Sequence, residues 1–190
     1  MGNREKLLEN AAEVFGKVGY QAATVDDILR AAKVAPSNFY YHFKSKEELA
    51  LEVLEGYFEK SRQKLGPLFM NKRLSATAKL EQLHLQFVQE MTQNCCCGGC
   101  PLGNLAQELS DTHPDFRKRL ADFFGECMDG IAAVVRQGVQ SGEFRKGVDP
   151  QAAAYLLFGA IEGLILLSKN LKKTAPLEQG FRQAMALLKN

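Results

Sequence analysis

The chain has 190 residues, 46% of them hydrophobic and 24% charged, with a formal net charge of +2. That size suits one large domain or a small domain fused to a larger one with a real core, and the near-neutral balance excludes a globally polybasic nucleic-acid binder. No apolar run reaches the roughly 18 residues of a membrane helix, because Glu162 interrupts the best one, and the first residues lack the apolar core of a signal peptide; a cytoplasmic protein with no membrane partner is expected.

In chain order, residues 3–18 form an amphipathic pattern, with Leu7, Leu8, Ala11, Ala12, Phe15 and Val18 at three- and four-residue spacing. Gly19 stands where a helix C-cap wants a left-handed residue. Thr24 can cap a second helix whose first turn holds Asp26 and Asp27. After a short break, Pro36 opens a third helix ending near His42, Pro being well placed at a helix start. Phe39 and Phe43 are four apart, share a face and are read as its buried side. Ser45 and Glu48 have capping-box spacing at the start of a fourth helix, which Gly66-Pro67 is expected to end or bend.

The remaining residues are helical in pattern, with no convincing strand. Segments 76–92, 102–109, 116–140, 150–171 and 176–188 each read as a helix. Asp149-Pro150 supplies a cap and a first-turn proline for the strongly apolar 150–171 segment.

Three short helices, the second and third joined by a tight turn, make a helix-turn-helix plan. Phe15, Gly19, Thr24, Val25, Ile28, Ala32, Val34, Tyr40, His42, Phe43, Lys46 and Leu49 resemble the signature of the TetR family of transcriptional repressors. Gly142-Glu143-Phe144, Asp149-Pro150 and Glu162-Gly163-Leu164 resemble pieces of that family's ligand-binding domain. Gly99 to Asn104 resembles a segment of one of its branches. The resemblance implies an all-α protein: a three-helix helix-turn-helix DNA-binding domain over residues 1–47 and a helical effector-binding and dimerisation domain over residues 48–190. Two departures stand out. Lys33 takes the place of the usual turn glycine, costing roughly 1 kcal/mol if the backbone is left-handed. Ala35 replaces the small hydroxyl before the recognition helix.

Between Arg30 and Lys46 the only charges are Arg30, Lys33, Lys44 and Lys46, a local basic stretch suited to phosphate. By resemblance, Tyr40, Lys46 and the Thr24 helix end clamp the DNA backbone. Ser37, Asn38, Tyr41 and His42 are the candidates for groove contact, Asn38 suiting adenine; Lys33 and Lys44 are candidates for phosphate. A near-neutral monomer with few basic residues points to a dimer on a palindromic double-stranded operator, with half-sites about one helical turn apart. The apolar, small-residue segment from about residue 150 to 189 is the expected homodimer surface.

The resemblance further implies a small-molecule effector among the central helices. Phe87, Met91, Leu105, Phe123 and Cys127 would line its pocket near Cys100, with Asn104 or His84 as polar anchor. Cys95, Cys96, Cys97 and Cys100 admit three readings: a metal site, a thiol redox sensor through Cys97 and Cys100, or a structural loop. Consecutive cysteines point apart, which counts against one tetrahedral ion, so no metal is assigned. No cofactor is implied, and no nucleophile–base–acid spacing suggests an enzyme. The alternative to a small-molecule effector is a thiol- or metal-responsive sensor using residues 95–100.

Overall fold

A computed structural model describes residues 2–189. These residues form nine helices and no strand: α1 (Asn3–Val18), α2 (Val25–Ala32), α3 (Pro36–His42), α4 (Lys46–Met70), α5 (Ala76–Gln93), α6 (Pro101–Leu109), α7 (Pro114–Ser141), α8 (Pro150–Leu171) and α9 (Ala175–Ala186). The periodicity places these elements correctly. The main departure is at Gly66-Pro67, where α4 runs on to Met70. Pro67 removes only the donor aimed one turn back, and the buried Leu68 holds the last turn in a hydrophobic core. A smaller one is at the start of α4. Ser45 accepts the Glu48 N–H at 3.1 Å, but the Glu48 carboxylate accepts the Lys44 N–H at 2.6 Å, not that of Ser45.

The chain divides into two compact units. One joins the residues up to Lys60 with Pro101–Leu120; the other joins Ser61–Cys100 with the residues from Ala121 onward. In the first, α1, α2 and α3 pack on one another. Leu7, Ala11 and Phe15 from α1, Ile28 and Leu29 from α2, and Phe39 and Phe43 are all buried, with Leu109, Phe116 and Leu120 in the same unit. Phe39 and Phe43 are thus the inner side of the α3 region, as their spacing predicts.

The second unit has its own core, drawn from α5, α8, α9 and the parts of α4 and α7 that belong to it. The Gly142-Glu143-Phe144 corner is structural. Phe144 is buried and occupies the space over Gly138, where an added Cβ would lie 2.2 Å from its ring. The Glu143 carboxylate accepts the Ala76 and Thr77 N–H groups at 3.1 and 2.9 Å and the Ser141 hydroxyl at 2.9 Å, capping α5. Asp149 caps α8 through Gln151 and Ala152 N–H, as expected.

Helix α8 buries Ala153, Ala154, Leu157, Ile161, Ile165 and Ser168 against this core. Its other side leaves Tyr155, Leu156, Leu166, Leu167 and Leu171 about half exposed. By length and composition α8 would satisfy the requirement for a membrane span, contrary to the expectation drawn from Glu162. A core helix meets the same requirement, and one stripe of α8 is core.

Candidate nucleic-acid interface and effector region

The outer face of α3 carries the aromatic side chains that spacing assigns to DNA. Tyr40 is 67% exposed and Tyr41 83% exposed, unusual values for rings of that size. The Tyr41 and His42 rings meet edge to face at 4.8 Å, and Tyr40 meets the buried Phe39 at 5.2 Å. Ser37 is exposed, and Asn38 and His42 are half-buried. Ala35 gives α3 no side-chain cap, as its methyl group dictates. The Asn38 Oδ1 accepts the Asn3 amide at 3.0 Å, so two-point pairing with a base requires it to exchange that partner.

Around this face the cations differ in availability. Lys33 and Lys44 are exposed and form no ion pair among the described residues. Lys33 is left-handed at φ 55°, ψ 45°, the strain its substitution for glycine predicts, and it closes α2 by donating its N–H to the Leu29 carbonyl. Arg30 pairs with Asp27 at 3.2 Å. Lys46 is different. Its Nζ donates to the Tyr20 and Ala23 carbonyls at 2.9 and 2.8 Å and sits 4.3 Å from the Tyr20 ring centroid. An ammonium so engaged ties the first turn of α4 to the corner before α2. Thr24 is likewise committed: its Oγ1 donates to Asp27 at 2.6 Å and accepts the Asp27 N–H at 3.1 Å. The Thr24 hydroxyl holds the Asp27 carboxyl below its usual range, against a smaller effect of burial.

The residues expected to meet an effector are drawn from both compact units. Asn104 and Leu105 belong to the first compact unit; His84, Phe87, Met91, Cys100, Phe123 and Cys127 belong to the second. The His84 ring stacks on Phe181 at 4.5 Å, and its Nε2 lies 3.1 Å from the Leu177 carbonyl. Burial lowers its pKa, and the stack and the carbonyl contact tie α5 to α9. Phe123 lies under the Arg62 guanidinium, which also bridges both Glu126 oxygens at 2.9 Å.

Sequence reasoning read Glu162 as interrupting an apolar run and, with Gly163 and Leu164, as resembling a piece of the family's ligand-binding domain, but did not name it among the effector residues. The structure leaves it half-buried. Burial raises its pKa, opposed by a bond from the Cys100 thiol, and its charge acts on Cys127. Burial first, then Glu126, pushes the Cys127 thiol up to about 11, so it is inert as a nucleophile.

The cysteine segment is a tight turn. Cys95 and Cys96 are left-handed at φ 50° and 53°, and the Cys96 N–H reaches back to the Met91 carbonyl at 2.7 Å. Cys96 is buried, whereas Cys95 and Cys97 are exposed. Lys172, the left-handed C-cap of α8, points its Nζ at the Cys96 carbonyl (3.3 Å) and the Cys97 Sγ (3.5 Å). Among the described residues no three His, Cys, Asp or Glu side chains converge as a metal site.

Known proteins share this arrangement. The family described as bacterial regulatory proteins, tetR family, matches residues 7–53. The family described as tetracyclin repressor-like, C-terminal domain, matches residues 76–185. An uncharacterized HTH-type transcriptional regulator in the lacX 3' region of Lactococcus lactis subsp. lactis is 30% identical, over 94% of this chain and 89% of its own length. The HTH-type transcriptional repressor DhaR of Mycobacterium sp. (strain GP1) is 27% identical, over 93% of this chain and 87% of its own. The regulatory protein TetR from Rhodobacter sphaeroides superposes with a TM-score of 0.90 at 28% identity, covering 97% of each chain. With both family domains matched in order, over nine helices among the described residues, the protein belongs to the TetR family of DNA-binding transcriptional regulators, a family of regulators and not of enzymes.

Proposed function

We propose that this chain is a homodimeric repressor that leaves its operator when a small molecule binds. The exposed outer face of α3, with Tyr40 and Tyr41 turned to solvent between Lys33 and Lys44, carries this reading. Ser37, Asn38, Tyr41 and His42 enter the major groove, and Tyr40 and the two lysines meet the phosphate backbone. Lys46 and Thr24 hold the geometry of the helix-turn-helix. Residues 1–47 act as the DNA-binding domain and residues 48–190 as the effector-binding and dimerisation domain.

The half-exposed apolar side of α8 supports dimerisation through about residues 150–189. Two recognition helices then read a palindrome with half-sites about 34 Å apart. The effector acts by population shift, binding the DNA-incompetent state more tightly. Phe87, Met91, Phe123 and Cys127, with Glu162 as a polar contact, are the side chains proposed to meet it. The test is a mobility shift on the DNA upstream of the protein's own gene, comparing the wild-type chain with Tyr40→Ala/Tyr41→Ala. Equal specific binding by both would sink the assignment of α3.

A second reading is favoured by the Lys172 ammonium beside the Cys97 sulfur. Cys95 and Cys97 are free and exposed, open to an oxidant from solvent. In this reading the trigger is oxidation at residues 95–100, and replacing Cys95, Cys96, Cys97 and Cys100 by Ser abolishes release by oxidant. Unchanged oxidant release in that variant leaves the small-molecule reading alone.

A further inference from the structure

We infer that Glu108 is a positioning residue for DNA recognition, acting on the α1–α2 corner that precedes the helix-turn-helix; this rests on the DNA-binding function of α3 proposed above. Glu108 is the penultimate residue of α6, and it lies in the same compact unit as α1, α2 and α3. Its two carboxylate oxygens take adjacent backbone donors, the Tyr20 N–H at 2.9 Å and the Gln21 N–H at 2.7 Å. The residue before them is Gly19, at φ 84° and ψ 167°, a backbone state open in practice to glycine alone. A Cβ at Gly19 would also lie 3.1 and 3.2 Å from the same two oxygens. The corner is therefore shaped around the carboxylate.

The other polar side of this corner is held from α4. Lys46 takes the Tyr20 and Ala23 carbonyls that Glu108 cannot bind. The carboxylate on the Gln21 N–H and the ammonium on the Tyr20 C=O hold both ends of the Tyr20–Gln21 peptide dipole, with the Tyr20 N–H and the Ala23 C=O held on either side. The Tyr20 ring is packed by Phe15, His113 and Phe116 at 5.5 to 5.7 Å. Thr24, next in the chain, starts α2 with its own Asp27 box, so Glu108 is not needed as a helix cap. What it supplies is orientation: the corner, and with it the α2 N-terminus, follows the position of α6.

The sign of the effect separates positioning from simple electrostatics. Removing an acid from a DNA-binding unit should strengthen binding to polyanionic DNA. Removing a positioning group should weaken it. The experiment uses the full chain and its own upstream DNA, with Glu108→Ala and Glu108→Gln beside the wild type. Operator affinity is measured across salt, and backbone exchange is followed at Tyr20 and Gln21. Glu108→Ala is expected to speed exchange at both amides and to lower affinity about tenfold, the scale of losing charge-assisted hydrogen bonds. The salt slope stays unchanged, because no phosphate contact is lost. Glu108→Gln keeps one acceptor and recovers part of the affinity. Affinity in Glu108→Ala equal to or above wild type, with those amides deprotected, overturns the inference. Should Glu108→Ala not fold, Glu108→Gln carries the same sign test alone. If the wild-type chain does not bind its upstream DNA, the repressor proposal fails; protected exchange at Tyr20 and Gln21 in Glu108→Ala would then overturn the clamp separately.

Discussion

Lys46 Nζ donates to the Ala23 carbonyl oxygen at 2.8 Å, joining the first turn of α4 to the residue before the α2 cap. That bond, with its partner at Tyr20, makes Lys46 a structural cation on a DNA-binding unit. Lys46→Met should therefore lower stability by about 1–3 kcal/mol, the range for hydrogen bonds to charged groups. Operator affinity should fall with it while the slope of log K against log salt stays constant. A slope reduced by about 0.9 per lost contact would return Lys46 to the phosphate backbone.

Lys44 is expected to behave in the opposite way. Its side chain is exposed and forms no ion pair among the described residues, while its N–H is taken by Glu48. Lys44→Ala should leave thermal stability within roughly 0.5 kcal/mol of wild type, as surface substitutions do. Its effect should be a uniform loss of affinity across DNA sequences and a shallower salt dependence. A change in base preference without a change in slope would contradict a phosphate role.

Lys33 combines strain with exposure. It occupies the left-handed region at φ 55°, where a side chain is disfavoured. Lys33→Gly should raise the free energy of unfolding by roughly 0.5–1 kcal/mol, strain relief being partly offset by the greater freedom of glycine in the unfolded chain. Urea denaturation measures this. If the strain is tolerated because Lys33 reaches phosphate, the same variant binds operator less tightly with a shallower salt slope.

Glu143 predicts an acid limb in stability. Burial opposes its ionisation, but the Thr77 and Ala76 N–H groups, with Thr77 and Ser141 side chains, together outweigh burial and bring its pKa down from 4.5 to about 2. A depressed carboxylate stabilises the fold above its unfolded pKa, and that contribution is lost as pH falls from about 4.5 toward about 2. Glu143→Gln should cost about 1 kcal/mol at neutral pH, the scale of losing a helix N-cap. Its stability should decline less over that acid window. Parallel acid titrations of the two proteins would refute this account.

Much of the fold was legible because it rests on local spacing. The four-residue spacing of Phe39 and Phe43 is enough to bury both, and Asp149-Pro150 starts α8 wherever that helix packs. The strain at Lys33 follows from one residue type in a tight turn. Of the two outcomes expected at Gly66-Pro67, an end or a bend, the end does not occur, because whether a helix outlasts a missing donor depends on what Leu68 packs against.

The site was legible in its composition but not in its partners. Sequence alone marked the basic, aromatic stretch of residues 34–46 and the family to which it points, since helix period, capping spacing and charge sign are properties of neighbours along the chain. It could not tell which cations are available. Lys44 and Lys46 look alike in the sequence, yet one is exposed and the other is drawn in by carbonyls more than twenty positions away. Nor could it connect Glu108 with Tyr20 and Gln21, which lie 88 and 87 residues apart from it. Hydrogen bonds of that kind carry no period and no motif. Only the tertiary packing, by bringing separate backbone groups to one carboxylate or one ammonium, decides which charge stays exposed and which is engaged in holding the helices.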